Sequence, residues 1–151
     1  MKAGRLHFTT DYSQAIPEAD IILIAVGTPS APDHRADLSH VFDAAKSLAP
    51  YIKENAIVII KSTVPPKTNQ RVSEIISGIT DKKFYLASCP EFLREGTAVA
   101  DMLHPDRILI GSEEPEVIDR LLELHRPINA EKIIMKPESA QLTKYAANAY
   151  L

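Results

Sequence analysis

The 151-residue chain has one cysteine, no basic run, and no apolar run near the roughly 20 residues a membrane-spanning helix takes. Each scarcity removes a class of function. Cys89 alone cannot build an intrachain disulfide framework or complete a four-ligand zinc site, so no metal is expected. With 17 basic against 20 acidic residues and a net charge of −3, a nucleic-acid backbone finds little to hold, and any phosphate ligand must be met locally. Residues 1–7 lack the apolar core of a secretory signal. A reducing, cytoplasmic setting away from membranes is therefore expected. No internal repeat or low-complexity segment is evident, and the 11 prolines punctuate loops.

What the chain does have is alternation. Ile21-Ile22-Leu23-Ile24-Ala25-Val26 is apolar on both faces, as a central parallel strand covered by helices is, and Ile57-Val58-Ile59-Ile60 repeats the pattern. Residues 84–87, 107–110 and 132–135 read as later strands, and residues 6–9 as a shorter, weaker one. Between strands, Val41, Phe42, Ala45 and Leu48 share one helical face, as do Val72, Ile75, Ile76 and Ile79. Residues 117–124 and 138–151 are helical by pattern, the last stopping without a glycine or proline cap, as a cut end would. The alternation predicts an α/β fold around a mostly parallel, doubly wound sheet.

Three segments carry chemistry. Val26-Gly27-Thr28-Pro29-Ser30 and Lys61-Ser62-Thr63-Val64-Pro65 each follow a strand, at the carboxyl edge where open parallel sheets bind ligands. Each could also be a plain turn. Cys89-Pro90-Glu91-Phe92-Leu93-Arg94-Glu95-Gly96 follows the next strand and brings two carboxylates four residues apart. If helical or turn-like, it points Glu91 and Glu95 the same way, giving either a general base or a solvated acidic turn. Cys89, without a neighbouring histidine, reads as a small buried residue rather than a nucleophile. On the terminal helix Leu142, Tyr145, Ala146 and Ala149 share one face, while Lys144 and Asn148 share the opposite one. That pair can hold a developing oxyanion or be the wet side of an amphipathic helix.

Thr-Thr-Asp at 9–11, Ala-Val-Gly-Thr-Pro at 25–29, Lys-Ser-Thr-Val-Pro at 61–65, Pro-Glu-Phe-Leu-Arg-Glu-Gly at 90–96, His-Pro-Asp-Arg-Ile at 104–108 and Lys-Tyr-Ala-Ala-Asn-Ala at 144–149 occur in this order. Together they resemble the UDP-glucose 6-dehydrogenase family, which oxidises a sugar C6 alcohol to a carboxylate through an aldehyde and an enzyme thioester, reducing two NAD. The resemblance implies a Rossmann-like NAD-binding part over residues 1–136 and the start of a central connecting helix at 137–151. It places Val26, Gly27, Thr28, Pro29, Ser30, Ser62, Thr63, Val64 and Glu95 around NAD. Glu91 becomes the base for thioester hydrolysis, Thr63 positions water, Lys144 transfers a proton or holds the oxyanion, and Asn148 assists. Glu91, Phe92, Leu93, Arg94 and Glu95, with Lys144 and Asn148, are implied to touch the sugar nucleotide.

The resemblance also implies what lies outside these residues. The Gly-x-Gly-x-x-Gly phosphate turn belongs before residue 1 and the catalytic cysteine after residue 151, so the isolated chain is expected to be inactive. The implied strand order 3-2-1-4-5-6 puts the first two strands between residues 6–9 and 21–26, splitting the sheet and leaving residues 21–26 as an exposed edge. Self-association of the chain through that edge is expected, and a homo-oligomeric parent enzyme. Other nucleotide sugars, UDP-N-acetylmannosamine or GDP-mannose, are the alternative substrates. A non-catalytic nucleotide-binding or interaction module is the alternative of another class.

Overall fold

The computed structural model describes residues 4–150. Five strands form one sheet in consecutive order: β1 (Ile21–Ile24), β2 (Ala56–Ile60), β3 (Phe84–Ser88), β4 (Arg107–Gly111) and β5 (Glu131–Met135). Pairing is parallel except between β3 and β4, which meet antiparallel at the single pair Ser88–Gly111. The helices are α1 (Tyr12–Ala15), α2 (Ser39–Leu48), α3 (Thr68–Ser77), α4 (Ala98–Leu103), α5 (Pro115–Leu124) and α6 (Pro137–Tyr150).

Strand β2 explains the layering. All five of its residues are buried, and alternate side chains enter two separate cores. Val58 and Ile60 pack with Ile22 and Ile24 of β1, Val41, Ala45 and Leu48 of α2, and Val72 and Ile76 of α3. On the other face, Ile57 and Ile59 pack with Ala87, Ile110, and Val117 and Leu121 of α5. Each helix presents apolar side chains four residues apart, which is why one stripe faces the sheet. Each fully buried Ile or Val contributes roughly 1.5–3 kcal/mol.

Three expectations change. Residues 6–9 form no strand, and Leu6 and Phe8 are exposed at 52% and 80%. Their composition is strand-like, but no neighbouring strand offers a ladder, so the sheet of the described residues is continuous rather than split. Strand β1 is fully covered on one face only: Ile22 and Ile24 are buried, whereas on the other face Ile21 packs partly against the second core and Leu23 is 52% exposed. Ile79 lies beyond the end of α3 and is exposed.

Candidate functional site

Register builds the site. Ile24 is level with Ile60, and Ile60 with Ser88, so the three motif loops leave the sheet side by side at its carboxyl edge. Backbone bonds continue the alignment past the strands: Lys61 N–H donates to Ile24 O at 2.9 Å, and Cys89 N–H to Ile60 O at 3.1 Å.

The first two loops are stitched together by hydroxyls. Ser62 Oγ accepts from Val26 N–H at 2.9 Å and donates to Val26 O at 2.7 Å, and Thr28 Oγ1 donates to Thr63 O at 2.8 Å. Ser62 and Thr28 thus brace the loops, whereas the Thr63 hydroxyl makes no protein hydrogen bond among the described residues. At Gly27 an added Cβ would meet nothing within 4 Å, so the backbone there lies open. His40 Nδ1–H donates to the Gly27 carbonyl at 3.3 Å, steadying it from α2. Val64 is buried at 2%, packed under the loop, while Pro29 and Ser30 are exposed. An open glycine backbone and a free threonine hydroxyl at a strand edge fit a dinucleotide.

The third loop turns inward at Glu91. Its Oε2 accepts from Leu93 N–H, and its Oε1 lies 3.5 Å from Lys144 Nζ on α6. The Phe92 ring is flanked by two cations, with Arg107 at 4.5 Å and Lys144 at 5.1 Å from its centroid. Residues 91–94 are not helical, so the four-residue spacing does not align the carboxylates: Glu91 lines a cavity and Glu95 is exposed outside it. Arg94 lines the cavity rim but is bound to Asp101, with Nη2 to Oδ1 at 2.6 Å. The Asp101 carboxylate also accepts from Arg94 N–H and Thr97 Oγ1, each at 2.9 Å. The hydrogen bond from Arg94 is the main cause that holds the Asp101 carboxyl well below the usual range.

The cavity has a volume of about 530 Å³, the size of a small-molecule site. Glu91, Phe92, Leu93, Cys89 and Arg107 wall it, together with three side chains to which the motifs give no role, Lys61, His104 and His125. Lys61 makes no side-chain hydrogen bond or ion pair among the described residues. Burial holds its ammonium below the ordinary lysine value; Cys89 and Glu91 oppose that shift and Lys144 adds to it. His125 Nδ1–H donates to Leu121 O at 2.8 Å, so Nε2 is the ring nitrogen without a protein hydrogen bond among the described residues. Lys61 opens the Lys-Ser-Thr-Val-Pro motif and His104 the His-Pro-Asp-Arg-Ile motif, neither of which gives them a role, and His125 lies in no motif.

Helix α6 meets the sheet with the face opposite to the one its apolar residues predict. Ala140, Gln141 and Lys144 are buried, Lys144 at 5% exposure, while Leu142 is 59% exposed and Ala146 and Ala149 are open. Lys144 is therefore no part of a wet helix face; it does not line the cavity itself but reaches it through Glu91, which does. Asn148, one turn on, is exposed and does not line the cavity. Cys89 is 6% exposed, and burial pushes its thiol up to about 11, the state of an inert core cysteine. Among the described residues no three His, Cys, Asp or Glu side chains gather as a metal site would need. No helix among them is long and apolar enough to cross a membrane.

The profile of the UDP-glucose/GDP-mannose dehydrogenase family, NAD binding domain, matches residues 1–129. The chain belongs to this family. It is 43% identical over 150 residues to the UDP-glucose 6-dehydrogenase YwqF of Bacillus subtilis, covering 98% of this chain and 34% of that protein. It is 42% identical to the UDP-glucose 6-dehydrogenase of Pseudomonas aeruginosa, covering 100% and 35%. Among solved structures, a UDP-glucose dehydrogenase from the hyperthermophilic archaeon Pyrobaculum islandicum superposes with a TM-score of 0.95 at 40% identity, over 99% of this chain and 36% of that one. A GDP-mannose dehydrogenase from Pseudomonas aeruginosa gives 0.94 at 33% identity, over 99% and 36%. The chain thus spans about a third of the length of these dehydrogenases. The Rossmann-like fold is that of the family's NAD-binding domain, and NAD is the cofactor the match implies.

Proposed function

We propose that the chain supplies the NAD side of the active site of a cytoplasmic UDP-glucose 6-dehydrogenase, which oxidises the C6 alcohol of the sugar to a carboxylate. The observation that carries this reading is the Glu91–Lys144 pair, 3.5 Å apart beside a cavity at the carboxyl edge of the sheet. A carboxylate and an ammonium so placed can exchange a proton with a bound alcohol or water and hold the oxygen that develops charge. NAD, when bound, supplies the acceptor for the two electrons of each oxidation. Its holders are the open backbone at Gly27, the loop Val26 to Ser30, Ser62 to Val64, and Glu95. Glu91 takes a proton from the water that hydrolyses the thioester, Thr63 orients that water, Lys144 steadies the oxyanion and Asn148 assists it. Phe92, Leu93 and Arg94 face the sugar nucleotide. Helix α6, Pro137–Tyr150, begins the segment that connects to the substrate domain, residue 151 lying outside the described residues. UDP-glucose is preferred over GDP-mannose because the relatives named for it reach 43% and 42% identity, against 33% for the GDP-mannose enzyme.

The test is NADH formation by a protein of the relatives' length that carries this chain, offered UDP-glucose, GDP-mannose and UDP-N-acetylmannosamine. Two NADH per UDP-glucose are expected, with far slower use of the other two. Glu91→Gln should stall the reaction after acyl-enzyme formation, and Lys144→Met should lower kcat by about a hundredfold or more. The 151 residues alone should bind NAD weakly and turn nothing over. Nucleotide binding without turnover in the longer protein as well would favour a non-catalytic module.

A further inference from the structure

We propose that Gln141, tied to Asn69 and Ser88, is a positioning residue that fixes the register of α6 and thereby holds the Lys144 amine against Glu91. Its consequence for catalysis rests on the dehydrogenase reading; the positioning itself does not. Gln141 precedes Lys144 by three residues, so both lie on the inward face of α6, at 3% and 5% exposure. Gln141 Nε2 donates to Asn69 Oδ1 at 2.6 Å and to Ser88 Oγ at 2.9 Å, and Ser88 Oγ donates to Asn69 Oδ1 at 2.9 Å. One amide thus cross-ties α6 to α3 and to the end of β3.

The apolar contact beside it cannot do this work. The buried apolar residue of α6 is Ala140, which rests on Gly111, where an added Cβ would lie 2.8 Å from Ala140 Cβ and 2.9 Å from Ser88 O. A methyl group against bare backbone gives close approach but no interlocking ridge, so it leaves sliding and rotation of the helix weakly resisted. Directional hydrogen bonds supply the missing constraint. Nor is the cluster built for stability alone: Asn69 Nδ2 and Gln141 Oε1 are buried with no hydrogen-bond partner among the described residues, and exchanging oxygen and nitrogen in both amides leaves the same number unpaired. An apolar side chain of equal size would avoid that cost while losing the register.

Gln141→Met keeps the volume and removes the bonds; Gln141→Glu keeps an oxygen to which Ser88 and the Asn69 amide can donate. In the 151-residue chain, acylation of Lys144 by a water-soluble amine-reactive ester, followed by mass spectrometry, should accelerate at least about tenfold in Gln141→Met and stay near the parent rate in Gln141→Glu. Lys82, whose ammonium binds Ile52 O on another part of the fold, is the internal control and should not change. Should Gln141→Met fail to fold, Ser88→Ala removes one member of the tie and carries the same comparison. Unchanged Lys144 labelling in the folded variants overturns the proposal. In the longer dehydrogenase, kcat should fall about ten- to a hundredfold with KM for NAD held within about twofold, and Gln141→Glu should restore it. If labelling responds as expected but the parent does not oxidise UDP-glucose, the positioning role stands and the dehydrogenase reading falls.

Discussion

Cys89 sits where β3 leaves the sheet, and burial raises its pKa from 9.0 to about 11. The folded state therefore holds this proton more tightly than the unfolded chain does. The resulting contribution is complete below about pH 9 and is lost as pH rises through about 11, amounting to about 2–3 kcal/mol. Native protein at pH 8 should leave Cys89 unmodified by iodoacetamide, with full alkylation in urea. The fall in denaturation midpoint between pH 9 and 11 should be shallower in Cys89→Ala than in the parent. Lys61 gives the opposite signature. Its half-buried ammonium has no hydrogen-bond or ion-pair partner among the described residues, so Lys61→Met removes a desolvation cost and should leave the melting temperature unchanged or higher. Turnover in the longer enzyme should meanwhile fall about tenfold or more, as expected where a residue serves function at the expense of stability. Spacing alone leaves the role of Glu91 open, but its place at the carboxyl edge of a parallel sheet, where such sheets bind ligands, was legible from sequence. Lys61 was not, because a lysine after a strand ordinarily reads as a solvent-seeking side chain. The burial of Lys144 was hidden for a further reason. Helical periodicity assigns it to a polar face, and only tertiary contact with Gly111 and Ser88 selects that face for burial.

Elements with strong periodicity were legible: β2, α2 and α5 to within a residue or two, and α3 by its face though not its ends, since its first turn carries no apolar repeat and Ile79 lies past its end. The short helices α1 and α4, of 4 and 6 residues, were not, since neither is long enough to show a period or buries a side chain. Helix α1 is held by its cap, the Asp11 carboxylate accepting from Ser13 N–H at 2.9 Å. The docking of α6 depends on an absence, which no pattern advertises: the missing Cβ at Gly111. Gly111→Ala would place a methyl 2.8 Å from Ala140 Cβ, 2.9 Å from Ser88 O and 3.0 Å from Pro137 Cα. Two of these neighbours are backbone and cannot yield alone, so α6 must lift, at a cost of about 2–3 kcal/mol in denaturant unfolding. Adding Ala140→Gly removes one of the three clashes and should recover only part of the loss. Full recovery would mean that α6 is free to move as a unit.

At the scale of the whole molecule, the two cores on either side of β2 share no helix, and the sheet between them ends at β1. Among the described residues β1 pairs only with β2, so the polar backbone of its outer edge has no ladder partner. Leu23, 52% exposed, adds an apolar side chain on the face that α2 does not cover. An edge of Ile21-Ile22-Leu23-Ile24 carries no charge, bulge or proline to discourage a second strand from docking, and only its four-residue length limits the ladder it offers. We therefore expect the 151-residue chain to self-associate at micromolar concentration, strand against strand through β1. Sedimentation velocity should show a concentration-dependent shift, and Leu23→Lys, which puts a charge beside the edge without touching either core, should return the chain to a monomer. A parent chain that sediments as a monodisperse monomer throughout that range would mean that the twist of the sheet alone protects the edge, and the association would have to be abandoned.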